Sequence, residues 1–121
     1  MTTPNKVIEY VDKVKINAFE IEEKFRWLCE LEGMVKRNVM QDTEGAMLEY
    51  PKDLDSPLLV EQPWDSVYAL YLEAMIDFHN KEYTSYNNAI LLFNTKFEDY
   101  KKAYIREHRP KSSGTFRNVM G

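Results

Sequence analysis

Residues 63–109 read PWDSVYALYLEAMIDFHNKEYTSYNNAILLFNTKFEDYKKAYIREHR, and this run decides the fold. After Pro63 it holds no proline or glycine until Pro110. No covalent feature therefore prevents it from being helical almost throughout. Tyr86, Ile90, Phe93, Phe97, Tyr100 and Tyr104 recur at alternating steps of four and three. That spacing draws one apolar seam along a helix, near the period of a packed helix pair. Upstream, Val67 to Phe78 is apolar on almost every side, and Ser66, Glu73, Asp77 and Asn80 form a narrow polar stripe. A helix with so little polar face is normally buried among neighbours.

Asn80-Lys81-Glu82 supplies a turn between the two, since asparagine tolerates the left-handed conformation at a helix end. Asp65 is the expected cap of helix 3, and Thr84 or Ser85 that of helix 4. So short a turn makes the helices antiparallel neighbours. The rival is one unbroken helix of about 65 Å. It is disfavoured because it leaves the aromatic faces without partners in a chain of 121 residues.

Working outward, Thr3-Pro4 is a helix start, with threonine as cap and proline at the first helical position. Val7, Ile8, Val11 and Val14 then predict a short amphipathic helix to about Lys15. In Ile16-Asn17-Ala18-Phe19-Glu20-Ile21, Asn17 and Glu20 match a capping box and Ile16 and Ile21 a hydrophobic staple. This predicts helix 2 from Ala18, with Ile21, Phe25, Leu28 and Val35 on one face, widened by Trp27, Leu31 and Met34. Gly33 interrupts it as a C-terminal cap or a close contact, but Val35 and Val39 keep the period to about Met40.

Residues 41–62 lose that period. Gly45, Pro51 and Pro57 punctuate them, and Asp42, Glu44, Glu49, Asp53, Asp55 and Glu61 face a single Lys52. Met47–Tyr50 and Leu58–Val60 either pair as two short strands or cover the core as extended chain. A segment this long in a compact domain is often functional. The expected fold is all-α: a small bundle of about four helices, helices 3 and 4 an antiparallel hairpin, with this irregular acidic segment between helices 2 and 3. One helical domain over 1–110 is followed by a flexible basic tail over 111–121.

The composition, 44% hydrophobic and 30% charged, suits a soluble helical domain. No basic region precedes an apolar block, so no signal peptide is expected, and no run is long enough to cross a bilayer. One cysteine, Cys29, excludes an internal disulfide and fits a reducing compartment. The formal charge of -4 is asymmetric: residues 1–100 are net -9 and residues 101–121 net +5. An acidic body is a poor general nucleic-acid binder.

No enzyme is expected. His79, His108 and Cys29 are too scattered for a metal site, and no phosphate loop or nucleophile elbow occurs. Glu73 and Asp77 share a face, read as a solvated stripe rather than a cation site. No cofactor or metal is called for. Cys29 reads as a small core residue. Tyr100 and Tyr104, near the helix end, are interface anchors if the body leaves them exposed. The basic end is either a solvated terminus suiting the helix dipole or an arm for an acidic partner or phosphate.

Two N-terminal helices, an acidic irregular segment, then LLVEQPWDSVYALYLEAMIDFHNKEYTSYNNAILLFNTKFEDY and REHRP, resemble the head-tail connector (adaptor) proteins of tailed bacteriophages and prophages. The likeness is strongest over Leu58–Pro110. It implies a virion structural protein at the head-tail interface, assembled in the host cytoplasm as a ring under the portal and linking it to the tail or stopper. Its partners would be the portal, the tail or stopper protein and copies of itself, with double-stranded DNA only as passing cargo and no membrane. By the resemblance, Tyr104, Arg106, Arg109, Lys111, Phe116 and Arg117 would engage the portal. The acidic residues of 42–61 would face the channel and repel passing phosphate. Two other classes stand beside it: a non-phage adaptor dimerising through the aromatic seam, and a DNA-binding packaging or regulatory protein using the basic tail.

Overall fold

A computed structural model of the chain describes residues 2–42 and 47–108. It is an all-α bundle of four helices: α1 (Pro4–Val14), α2 (Ile21–Met34), α3 (Ser66–His79) and α4 (Tyr83–Glu107). The hairpin of α3 and α4 is the most extensive helix pairing, and α1 and α2 pack on α3. Val7, Ile8 and Val11 of α1, Phe25, Leu28 and Leu31 of α2, and Val67, Tyr68, Leu72 and Ile76 of α3 form the core. The seam of α4 faces inward as its spacing predicts: Phe93 and Tyr100 are buried, and Tyr86, Ile90, Phe97 and Tyr104 are partly covered.

α1 starts where its sequence says, with the Thr3 hydroxyl accepting from the Lys6 N–H at 3.3 Å and Pro4 opening the helix. α2 starts three residues later than expected. Asn17 Oδ1 accepts from the Phe19 N–H (3.2 Å) and from Lys24 Nζ (3.1 Å), so it serves the loop instead of a helix terminus. Lys24, buried in the first turns of α2, also reaches Asp12 of α1 at 2.6 Å. The staple does not form either, as Ile16 is 94% exposed. Gly33 caps nothing; the helix runs through it. A methyl group there would lie 3.9 Å from the Met47 side chain. Beyond Met34 the chain continues as a π-turn, Val35–Val39, closed by the Met40 N–H on the Val35 carbonyl at 3.0 Å.

Asp65 stands at the N-cap position of α3, but its side chain caps nothing and accepts instead from the Thr2 hydroxyl. The left-handed residue after α3 is Lys81 (φ 62), not Asn80. Its N–H bonds to the Phe78 carbonyl (3.0 Å), and the Glu82 N–H to the Asp77 carbonyl (2.9 Å), which closes a Schellman motif. That leaves Thr84 and Ser85 inside α4, which begins at Tyr83 without a side-chain cap. Asp77 is not solvated: it is 1% exposed and paired with Lys15 Nζ at 2.9 Å, fastening α3 to the end of α1.

Among the described residues no strand forms, so Met47–Tyr50 and Leu58–Val60 are cover rather than a paired ribbon. Leu58 and Val60 are buried in the core. Asp53 shapes the outer turn by accepting from the Glu49 N–H and the Ser56 hydroxyl, both at 2.8 Å. Those bonds, the Glu49 one foremost, hold its carboxyl below the usual range. The inner edge is held by Glu32 of α2. Its Oε2 accepts from the Leu59 N–H (2.9 Å) and its Oε1 from the Tyr68 hydroxyl (2.6 Å). That hydroxyl in turn accepts from the Val60 N–H at 2.8 Å. Two α2 and α3 side chains thus satisfy buried backbone donors of a segment that has no ladder of its own.

Candidate partner interface

The C-terminal half of α4 and the end of the cover segment enclose a half-open cavity of about 330 Å³. Trp64, Tyr100 and Tyr104 supply aromatic wall, Met40 and Leu59 close the apolar side, and Glu61, Glu107 and His108 bring polar groups. Met40 follows the π-turn, which itself contacts α4. His108 caps α4 and stacks on Tyr104, with ring centroids 3.9 Å apart. Lys96 Nζ lies 5.4 Å from the Trp64 ring centroid.

The expected docking residues divide. Tyr100 is 5% exposed, so its ring belongs to the core and offers no external anchor. Burial pushes its phenol up to about 12, and Tyr104, Glu32, Glu61 and Glu107 push in the same direction. Tyr104 is half-buried and Arg106 exposed. Arg109, Lys111, Phe116 and Arg117, with the expected tail over 111–121, lie outside the described residues, as does Glu44. Asp42, Glu49 and Asp55 are exposed, Asp53 is spent on its turn, and Glu61 faces the cavity.

The outward face of α4 carries a feature that lies off the aromatic seam. Leu91 and Leu92 are 64% and 60% exposed. They sit in a run, Tyr83 to Thr95, that has no charged residue, with Asn87, Asn88 and Asn94 exposed around them. The consecutive leucines were the available signal, because two neighbours cannot both lie on a seam with steps of three and four.

At the opposite end of the hairpin, His79 stacks on Trp27 at 4.8 Å, and Phe19 packs edge-on to Trp27 at 5.3 Å. His79 is thereby a packing residue. Among the described residues no group of three or more His, Cys, Asp or Glu side chains is placed to hold a metal ion. Nor is any described helix long and apolar enough to cross a membrane. No protein-family model, curated protein or solved structure matches the chain.

Proposed function

We propose that the chain is an assembly subunit that acts by protein–protein contact, a head-tail connector of the phage class its sequence resembles. The observation that carries this reading is the outer face of α4. A 25-residue helix, with its seam already engaged by α3, turns two adjacent leucines and an uncharged surface to solvent. Apolar side chains on such a rigid helix suit a lateral contact between neighbouring subunits. In this reading the end of α4 and the tail (Tyr104, Arg106, Arg109, Lys111, Phe116 and Arg117) meet the portal. The exposed acids Asp42, Glu49 and Asp55 stand toward passing DNA.

Light scattering of the purified chain with and without a portal preparation tests it. A portal-dependent complex of several copies is expected, and Leu91→Asp/Leu92→Asp should abolish it while leaving the helical signal intact. Arg106→Ala/Arg109→Ala/Lys111→Ala should remove portal capture in a pull-down. Wild-type protein that never associates with a portal sinks the connector reading. Salt-sensitive retardation of duplex DNA would favour the DNA-binding class instead.

A further inference from the structure

We infer that the cavity at the C-terminal end of α4 is a binding site for an organic cation, an alkylammonium or guanidinium group. The inference does not depend on the connector reading. Four features of the cavity favour a cation. Glu61 and Glu107, from different elements, both line it. Glu107 also sits in the last turn of α4, where the unsatisfied helix carbonyls already make the potential negative. An acid is the disfavoured residue at that end of a helix, so two negative sources reinforce each other beside one cavity.

The third feature is Tyr100. It is 95% buried, and its hydroxyl has no hydrogen-bond partner among the described residues, yet no buried polar atom there is unsatisfied. Its hydroxyl is therefore reached from the cavity it lines, and its lone pairs can accept from an incoming N–H. Fourth, the walls are aromatic. Trp64, Tyr100 and Tyr104 all line the cavity, and a cation is attracted to the electron-rich faces of such rings. Lys96 lies over the Trp64 ring without lining the cavity. Arg106, the nearest arginine in sequence, does not line it either.

A cavity of about 330 Å³ holds roughly ten non-hydrogen atoms at about 30 Å³ each. That admits an arginine side chain or a short diamine. The same field and the same acids disfavour phosphates and carboxylates. A free small molecule and a lysine or arginine side chain of a partner present the same chemistry, so the probes must separate them.

The test is a titration of the isotope-labelled full chain at neutral pH, following the Trp64 indole N–H and the Ala103 and Tyr104 amides by NMR. Arginine amide stands for a partner side chain, putrescine for a free diamine, and citrulline amide for an uncharged isostere. Saturable shifts at these positions with arginine amide or putrescine, and none with citrulline amide, are expected. Tighter binding of arginine amide assigns the site to a side chain, and tighter binding of putrescine to a diamine. Glu61→Gln/Glu107→Gln should weaken binding by about tenfold or more, since two charges are lost. The Trp27 indole signal, remote from the cavity, checks that this variant is folded. Equal response to citrulline amide, or no response to either cation up to about 20 mM, overturns the assignment.

Discussion

Replacing Tyr68 with Phe removes one oxygen atom and leaves the packed ring in place, so it isolates the polar tie between α2, α3 and the cover. That oxygen donates to Glu32 Oε1 at 2.6 Å and accepts from the Val60 N–H at 2.8 Å. A hydrogen bond to a charged group contributes about 1.5–3 kcal/mol, and stranding a buried N–H costs about 1–3 kcal/mol more. The expected loss is about 3–5 kcal/mol, a large share of the stability of a small domain. Urea unfolding followed by circular dichroism reads it directly. With a slope of about 1–3 kcal/mol per molar urea, the midpoint should fall by about 2 M. The loss should also depend on pH. Burial raises the Glu32 carboxyl above the ordinary glutamate range, against the opposing pull of the Tyr68 and Leu59 hydrogen bonds. A raised acid contributes stability that is fully present below its unfolded value and is lost as pH rises through the folded value. Without the Tyr68 donor the carboxyl rises further, so the deficit at neutral pH should exceed that at pH about 4. A midpoint shift under about 0.5 M, or a deficit unchanged with pH, would refute the tie.

Lys15→Met leaves the Asp77 carboxylate buried without its cation. Because Lys15 keeps 26% of its side-chain surface exposed, a loss of about 2–3 kcal/mol is expected, below the figure for fully buried pairs. Adding Asp77→Leu should restore most of it in the same urea assay. Lys81→Gly relieves a side chain held at φ 62 and should raise stability by about 0.5–1 kcal/mol, read as a higher melting temperature. Burial pushes the Cys29 thiol up to about 11, with Glu32, Asp53 and Glu30 adding to it. Disulfide-reagent labelling at pH about 8 should therefore run roughly a hundredfold slower in the folded chain than in urea.

What was legible in the sequence was periodic. The α4 seam, the buried α3, the Thr3-Pro4 start and the hairpin all follow from side chains repeating at helical spacing, and each appears in place. What was not legible depended on contacts distant in sequence. Asn17 satisfied a local capping rule, but the competing bonds to Phe19 and Lys24 are visible only when α1 and α2 meet. Asp77 read as a solvated stripe because its cation lies 62 residues away. Glu32 does carry a local signal, because an acid flanked by Leu28, Leu31 and Val35 on an apolar face needs something to meet it. The π-turn left no signal at all, since Val35 and Val39 keep the ordinary helical period. At the candidate site, Tyr100, Tyr104 and Glu61 are legible from the sequence. The cavity joining them needed the fold of the cover.

The cover is latched at its far side by the first residues of the chain. The Leu58 N–H bonds to the Thr2 carbonyl and the Asn5 N–H to the Leu54 carbonyl, both at 2.9 Å. These contacts span some fifty residues, whereas the α3–α4 hairpin closes through a three-residue turn. Chain-entropy costs therefore order the folding reaction: the hairpin collapses early, and the cover seats only after the N-terminus arrives. Pulse-labelled amide exchange should show Leu72 and Phe93 protected before Leu58 and Val60. The cavity at the end of α4, half built from that cover, would be the last part of the molecule to exist.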